Sequence, residues 1–228
     1  MQAGSKSNHL GLLEDPQVLQ QEKIDHRYGY RIIKIVFDKV FSLIALIFLI
    51  PVFLIVAVLI KIDDSKGPVF YSQIRIGRNG HPFKMYKFRS MIVDADKKFE
   101  KVVDKNEVDG AMFKMKNDPR ITHIGRIIRK YSVDELPQLL NVLKGDMALV
   151  GPRPPLEREI KQYTEYDKQR LLVTPGCTGL WQVTARNSVG FHEMIKLDIK
   201  YIQKSGVLFD FYILCKTVEI IIKPNNAY

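Results

Sequence analysis

The chain has 228 residues, 46% of them apolar, which is enough for one ordinary domain with a buried core and too many for a chain disordered throughout. Lys and Arg outnumber Asp and Glu 35 to 25; the net charge of +10 favours a negatively charged partner without choosing among phospholipid, nucleic acid and phosphorylated substrate. Cys177 and Cys215 stand far apart without CxxC or Cys/His spacing and the five histidines show no ligand spacing, which argues against a disulfide framework and a zinc site.

Residues 1–27 are polar, lack the order of a secretion signal and contain Gly4, Ser5, Ser7 and Asn8, so they read as a flexible segment. Val40 to Ile60 carries no charge, and at about 1.5 Å per helical residue it could cross a hydrocarbon layer of about 30 Å. Pro51 removes a backbone donor near its middle and predicts a kink. Arg27, Arg31, Lys34 and Lys39 precede the segment and Lys61 and Lys66 follow it, so both ends read as cytoplasmic. A helix that enters, breaks at Pro51 and returns satisfies both observations, and a plain kinked span stands level with it. The membrane-inserted part is bounded at 28–62, leaving 63–228 as a cytosolic domain.

Val69–Ile76 and Pro82–Phe88 flank Asn79-Gly80, whose positive φ preference predicts a β-hairpin. Met91–Lys105 reads as a charged helix, Val108–Asp118 as a loop, and Ile124–Lys130 as a short helix carrying Arg126, Arg129 and Lys130. A helix from near Asp134 presents Leu136, Leu139, Leu140 and Leu143 as one buried stripe and stops at Gly145. Leu156–Arg170 reads as a polar helix and Phe209–Ile222 as an amphipathic one lying on a surface or bilayer. The expected fold is α/β, mainly helical, with a small hairpin.

Four clusters carry polar groups where packing does not require them. Ser132-Val-Asp134-Glu135 fits a capping box, and Pro137 favours Asp134 as the cap instead. Either register puts two carboxylates at the positive end of a helix, where an ionised Asp is a competent nucleophile at phosphorus and Glu135 could hold Mg2+. Caps are common, so spacing alone favours capping over catalysis. Arg153 stands in Gly151-Pro-Arg-Pro-Pro155, restrained by proline on both sides and pre-set for bidentate phosphate contact or for a rigid solvated turn. Lys87 and Arg89 alternate on one strand face, and Trp181 with Arg186 could form a stacking and phosphate-binding wall or pack in the core.

Taken together, Lys87-Phe-Arg-Ser90, Asp134-Glu-Leu-Pro-Gln138, Asn141-Val-Leu-Lys-Gly-Asp146, Leu149-Val-Gly-Pro-Arg-Pro154 and Thr174-Pro-Gly-Cys-Thr-Gly-Leu-Trp-Gln-Val183 closely resemble the bacterial sugar transferases, monotopic phosphoglycosyl transferases that start capsule, exopolysaccharide and glycoprotein glycan assembly. The resemblance covers roughly Ile32 to Ile222. It implies that Asp134 attacks the β-phosphorus of a UDP-sugar, expels UMP and passes the phosphosugar to polyprenyl (undecaprenyl) phosphate. Glu135 would hold Mg2+; Lys87, Arg89, Arg153, Arg129 and Arg186 are candidate phosphate ligands, and Asp198 is a further active-site candidate. It also implies a re-entrant helix on the cytoplasmic face of a bacterial inner membrane, with anionic phospholipid as a partner and no nucleic acid. The family's Ser-Pro break is Ile50-Pro51 here, and its Gly before the last arginine is Ala185. Larger members carry spanning helices and a further domain before this module, so a short-form member or the catalytic part of a longer one is expected. The identity of the sugar and the oligomeric state are not encoded in these motifs. A phosphohydrolase using the same Asp and Mg2+, and a basic membrane adaptor, are the competing readings.

Overall fold

The computed structural model describes residues 19, 21–107, 113, 115, 117–185 and 189–222. A short helix, α1 (Gln21–Asp25), opens it, and Leu19 and Ile24 pack against the core, so the segment expected to be flexible through residue 27 is already structured there. The apolar run folds as two helices, α2 (Tyr28–Phe48) and α3 (Ile50–Asp63), bent by 60° at Leu49. Pro51 explains the break: it cannot donate to the Ile47 carbonyl, whereas in the first turn of α3 its missing amide costs nothing. No single described helix is long and apolar enough to cross a membrane; the bent pair passes that test together.

Helix α2 is amphipathic in the reverse sense to a soluble surface helix. Its inward face carries Asp38 and Ser42, buried at 5% and 0% exposure, and Asp38 accepts a bond from the Leu149 amide at 3.2 Å. Its outward face carries Ile32, Val36, Phe37, Val40, Phe41, Ile44 and Phe48, all exposed.

The predicted hairpin forms, its first strand beginning one residue later than expected: β1 (Phe70–Ile76) pairs antiparallel with β2 (Pro82–Phe88), Tyr71 opposite Lys87, with Asn79 and Gly80 at φ 55° and 81° in the turn. The helix expected over Met91–Lys105 is absent. Asp94 at φ 62° interrupts it, and the segment runs as turns with two 3-10 turns at Phe99–Lys101 and Val103–Lys105. Most of the expected loop 108–118 lies outside the described residues. The next two helices are α4 (His123–Lys130), as expected, and α5 (Gln138–Lys144), which ends at Gly145 with φ 88°. Because Gly145 lacks a side chain it takes this left-handed C-cap without strain.

A second sheet was not expected: β3 (Ala148–Val150) pairs in parallel with a strand at Gly176–Thr178, β4. Between them the expected polar helix divides into α6 (Glu157–Ile160), α7 (Glu165–Lys168) and a 3-10 turn at Gln169–Leu172. Two local caps reset the chain here: Glu159 accepts from the Leu156 amide at 2.9 Å, and Thr164 and Asp167 exchange side-chain-to-amide bonds at 2.9 and 3.2 Å. Helices α8 (Leu180–Thr184), α9 (Phe191–Lys204) and α10 (Val207–Ile222) complete the fold. The main core joins Met85, Val142, Leu149, Val150, Leu180, Ile202 and Ile213. A second cluster, Val56, Ile60, Phe88 and Ile128, ties α3 to β2 and α4. The result is mainly helical with two small sheets.

Candidate active site

The chain leaves α4 through Ser132, whose φ of 56° lies in the left-handed region that side chains with a Cβ rarely adopt. Strain of this kind costs of order 1–3 kcal/mol and is concentrated at functional sites. It turns the chain into a 3-10 turn, Val133–Glu135, and Pro137 then stands just before α5, where its missing amide is harmless. Neither expected capping register forms: no side-chain cap bond is made at Ser132, and α5 begins beyond Asp134 with Pro137 at its cap position. The two carboxylates are set by the turn instead.

Asp134 is 6% exposed. Burial pushes its carboxyl up to about 6, against the pull of Lys87 and Arg129, while the neighbouring Glu135 charge raises it further. Burial also acts on Glu135, yet the Lys87 ammonium, 2.6 Å from its Oε1, with Arg153 and Arg75 beyond, holds it below the usual carboxylate range. Two adjacent carboxyls thus differ: one readily protonated, one firmly ionised. Asn141, wholly buried on α5, fixes the spacing between the turn and β2. Its side-chain amide donates to the Lys84 carbonyl at 2.6 Å and its oxygen accepts from the Tyr86 amide at 3.0 Å, one residue from Lys87.

Arg153 enters from the proline loop after β3. Its Nη1 donates to Glu159 Oε2 at 3.1 Å, and its charge acts on Glu135. Arg129 enters from the last turn of α4. That helix is capped by α3, since the Ile124 amide donates to Asp63 Oδ2 at 2.9 Å. Four predicted residues therefore gather electrostatically around Asp134: Glu135, Lys87, Arg129 and, through Glu135, Arg153.

Other predicted residues fall elsewhere. Arg89, 7% exposed, donates to Asp64 Oδ2 at 2.5 Å, to the Asp64 carbonyl at 2.6 Å and to the Pro68 carbonyl at 2.6 Å. Those bonds close the α3–β1 connection and leave its guanidinium turned away from a phosphate role. Asp198 is wholly buried on α9 against Arg170, behind the proline loop. Trp181 packs with the Tyr163 and Phe191 cluster, as the core alternative held. Arg186 lies outside the described residues.

Sequence reasoning missed Arg75, Glu159 and Arg170 and left Asn141 without a role. Arg75 lies on the same face of the hairpin as Lys87, four residues along β1 from Tyr71, the residue paired with Lys87, with Gln73 between them on that face. Burial beside Arg153 lowers it to about 9, so it stays charged at neutral pH. Its alternation with Tyr71 and Gln73 was the available signal.

Among the described residues no group of three His, Cys, Asp or Glu side chains could hold a metal ion. The donor set suits an ion carried in by its substrate: Glu135 keeps 38% of its side-chain surface exposed, and Mg2+ is commonly held by one or two carboxylates plus phosphate oxygens and water.

A buried carboxyl, two residues beyond a left-handed serine, thus stands beside an ionised carboxylate, with Lys87, Arg129 and Arg153 acting on the pair. Residues 29–224 match the bacterial sugar transferase family, and the chain belongs to it. It is 43% identical over 205 residues to "Galactosyl transferase CpsE" of Streptococcus agalactiae, covering 89% of this chain and 45% of that protein. It is 41% identical over 202 residues to the "Undecaprenyl-phosphate galactose phosphotransferase" of Salmonella typhimurium, covering 87% of this chain and 42% of that protein. "Exopolysaccharide production protein ExoY" of Sinorhizobium fredii is 39% identical over 196 residues, covering 84% of this chain and 86% of its own length. The chain thus spans less than half of the first two relatives and most of the third.

Proposed function

We propose that this chain transfers a sugar 1-phosphate from a UDP-sugar to polyprenyl phosphate. The observation that carries the proposal is Asp134: a carboxyl pushed up to about 6 by burial, in a strained turn, with Glu135 and Lys87 paired at 2.6 Å beside it. In the first step an Asp134 oxygen bonds to the β-phosphorus, the bond between that phosphorus and the bridging oxygen breaks, and UMP leaves with the electron pair. In the second, a phosphate oxygen of the lipid acceptor bonds to the same phosphorus and the aspartyl oxygen departs as carboxylate, restoring the site. Lys87, Arg153 and Arg129 supply positive charge where the diphosphate would otherwise repel the carboxylate. Mg2+, held by Glu135 and the donor's own phosphates, would add charge neutralisation there.

A membrane setting is supported by the reversed amphipathicity of α2, by the 60° break at Leu49 and by exposed Leu208, Phe211, Tyr212, Val218 and Ile222 on α10. Apolar side chains outside and carboxylates inside suit a helix whose outer solvent is lipid. Neither helix alone is long and apolar enough to span, which favours a pair that enters and returns on one face, taken to be the cytoplasmic face, where a soluble UDP-sugar and a headgroup-level acceptor phosphate meet; the basic surplus favours anionic lipid.

The test is UMP release from a panel of UDP-sugars with Mg2+, with and without polyprenyl phosphate. Release coupled to a lipid-linked sugar diphosphate is expected. Free sugar phosphate without lipid product would replace transfer by hydrolysis, and wild-type activity in Asp134→Asn would remove the mechanism.

A further inference from the structure

Gly151-Pro-Arg-Pro-Pro155 has an unusual hydrogen-bonding problem. Prolines at 152, 154 and 155 have no amide proton, so the loop that carries Arg153 can be held mainly through its carbonyls. Four consecutive carbonyls accept bonds from separate places. Pro152 accepts from the Gly176 amide at 2.9 Å, Arg153 from Arg170 Nη2 at 2.9 Å, Pro154 from Arg75 Nη1 at 3.1 Å, and Pro155 from the Ile76 amide at 3.0 Å. The two side-chain donors are buried arginines at 2% and 8% exposure.

Arg170 is itself held from both sides. Its Nη1 donates to the Tyr163 hydroxyl at 2.8 Å, and its Nη2 pairs with Asp198, which is 0% exposed. A buried ion pair is a poor stabiliser, since removing two charges from water offsets most of their attraction and apolar replacements of similar volume are often neutral. Stability therefore does not account for Arg170 and Asp198. The position of the Arg153 carbonyl does: with its main chain fixed there and its Nη1 on Glu159 at 3.1 Å, Arg153 can aim at the Glu135 side of the site.

We infer that Asp198 and Arg170 are positioning residues that act on the reaction only through Arg153, by clamping its carbonyl and so directing its guanidinium at the donor diphosphate. The inference rests on the proposed transfer from a UDP-sugar, and its test has one arm that does not. Arg170→Met/Asp198→Leu replaces the pair with apolar groups and keeps the interior filled, while Arg153→Ala removes the group that the pair directs. In UMP release, Arg153→Ala is expected to lose roughly ten- to a hundredfold in kcat/KM, the scale of a lost charge-assisted contact. Arg170→Met/Asp198→Leu should lose about tenfold, and the triple variant no more than Arg153→Ala alone, within about twofold, because the pair has nothing left to direct. Losses that multiply would overturn the inference. In the second arm, hydrogen exchange at the Ile76 and Gly176 amides, which bond the ends of the loop, should quicken in Arg170→Met/Asp198→Leu while the Val142 amide in the core keeps its protection. Unchanged exchange at Ile76 and Gly176, or loss of protection at Val142 as well, would also overturn it. A wild-type protein that releases no UMP would sink the transferase reading, and the exchange arm would still decide the clamp.

Discussion

Lys87→Met removes the cation nearest the two carboxyls while keeping an unbranched side chain of similar length. The Lys87 ammonium lies 2.6 Å from Glu135 Oε1 and is the largest influence holding Asp134 down against burial. Opposite charges about 4 Å apart attract by about 4 kcal/mol at an effective dielectric constant of about 20. The Lys87 side chain is 24% exposed, and solvent there cuts its pull on buried Asp134 to about 1–2 kcal/mol, or roughly one pH unit. The sign is fixed by the chemistry: the nucleophile must be ionised, so activity rises as pH passes through the Asp134 value of about 6. Without Lys87 the protonated form is favoured over a wider range, and the acid limb of kcat/KM should move from about pH 6 to about pH 7. Because the two carboxyls titrate together, the limb belongs to the pair rather than to either residue. UMP release measured across about pH 5 to 9 reads it directly, and the plateau should also fall roughly ten- to a hundredfold through the lost phosphate contact. An acid limb that stays in place, or moves to lower pH, would refute this electrostatic account of the site.

Asp134→Asn should stabilise the protein while abolishing transfer. Its carboxyl rises from 3.8 to about 6 on folding, so the favourable protonated contribution is complete below about pH 4 and lost as pH rises through about 6; above that the ionised group costs about 1–3 kcal/mol. The melting temperature in detergent should rise by several degrees at pH 8 and hardly at pH 4; no rise at pH 8 would contradict the burial argument. Gly176→Ala should unfold or strongly destabilise the domain, because a Cβ there would lie 2.1 Å from the Gly151 nitrogen and 2.6 Å from the Thr178 oxygen, both main chain. A wild-type protease-resistance profile would show that the parallel β3–β4 pair can part without cost. Single cysteines at Gly29 and Ser65, with Cys177 and Cys215 changed to serine, should label from the same side of sealed vesicles. Labelling from opposite sides would make α2 and α3 one spanning segment.

Elements defined by local chemistry were legible in the sequence. Asn79-Gly80 can take positive φ, and the hairpin turns there; Gly145 ends α5; Pro51 stands in the first turn of a new helix. What failed depended either on partners distant in the chain or on backbone conformations that the residue type does not favour. β3 and β4 are three residues each, and their pairing of Ala148 with Gly176 leaves no periodic trace. Met91–Lys105 has helical composition but is interrupted at Asp94, and the capping pattern at Ser132 was overridden by a left-handed serine that the residue type does not favour. In the site, Asp134, Glu135, Lys87 and Arg153 were recognisable as polar groups at packed or rigid positions. Arg89 looked equivalent to Lys87 by alternation, yet Asp64, 25 residues earlier, claims it. The main-chain targets of Arg75 and Arg170, the Pro154 and Arg153 carbonyls, carry no residue identity, and the side-chain partner Asp198 stands 28 residues from Arg170 in the chain.

The measurement that bears most directly on the mechanism is a single turnover of wild-type protein with a UDP-sugar and Mg2+ in the absence of lipid acceptor, quenched in acid and examined by mass spectrometry. One sugar phosphate should appear on the peptide spanning Ser132 to Gln138, at Asp134, with one equivalent of UMP released and the adduct discharged on adding polyprenyl phosphate. An adduct at another residue, or UMP release that continues in Asp134→Asn, would contradict the assignment of Asp134 as the nucleophile.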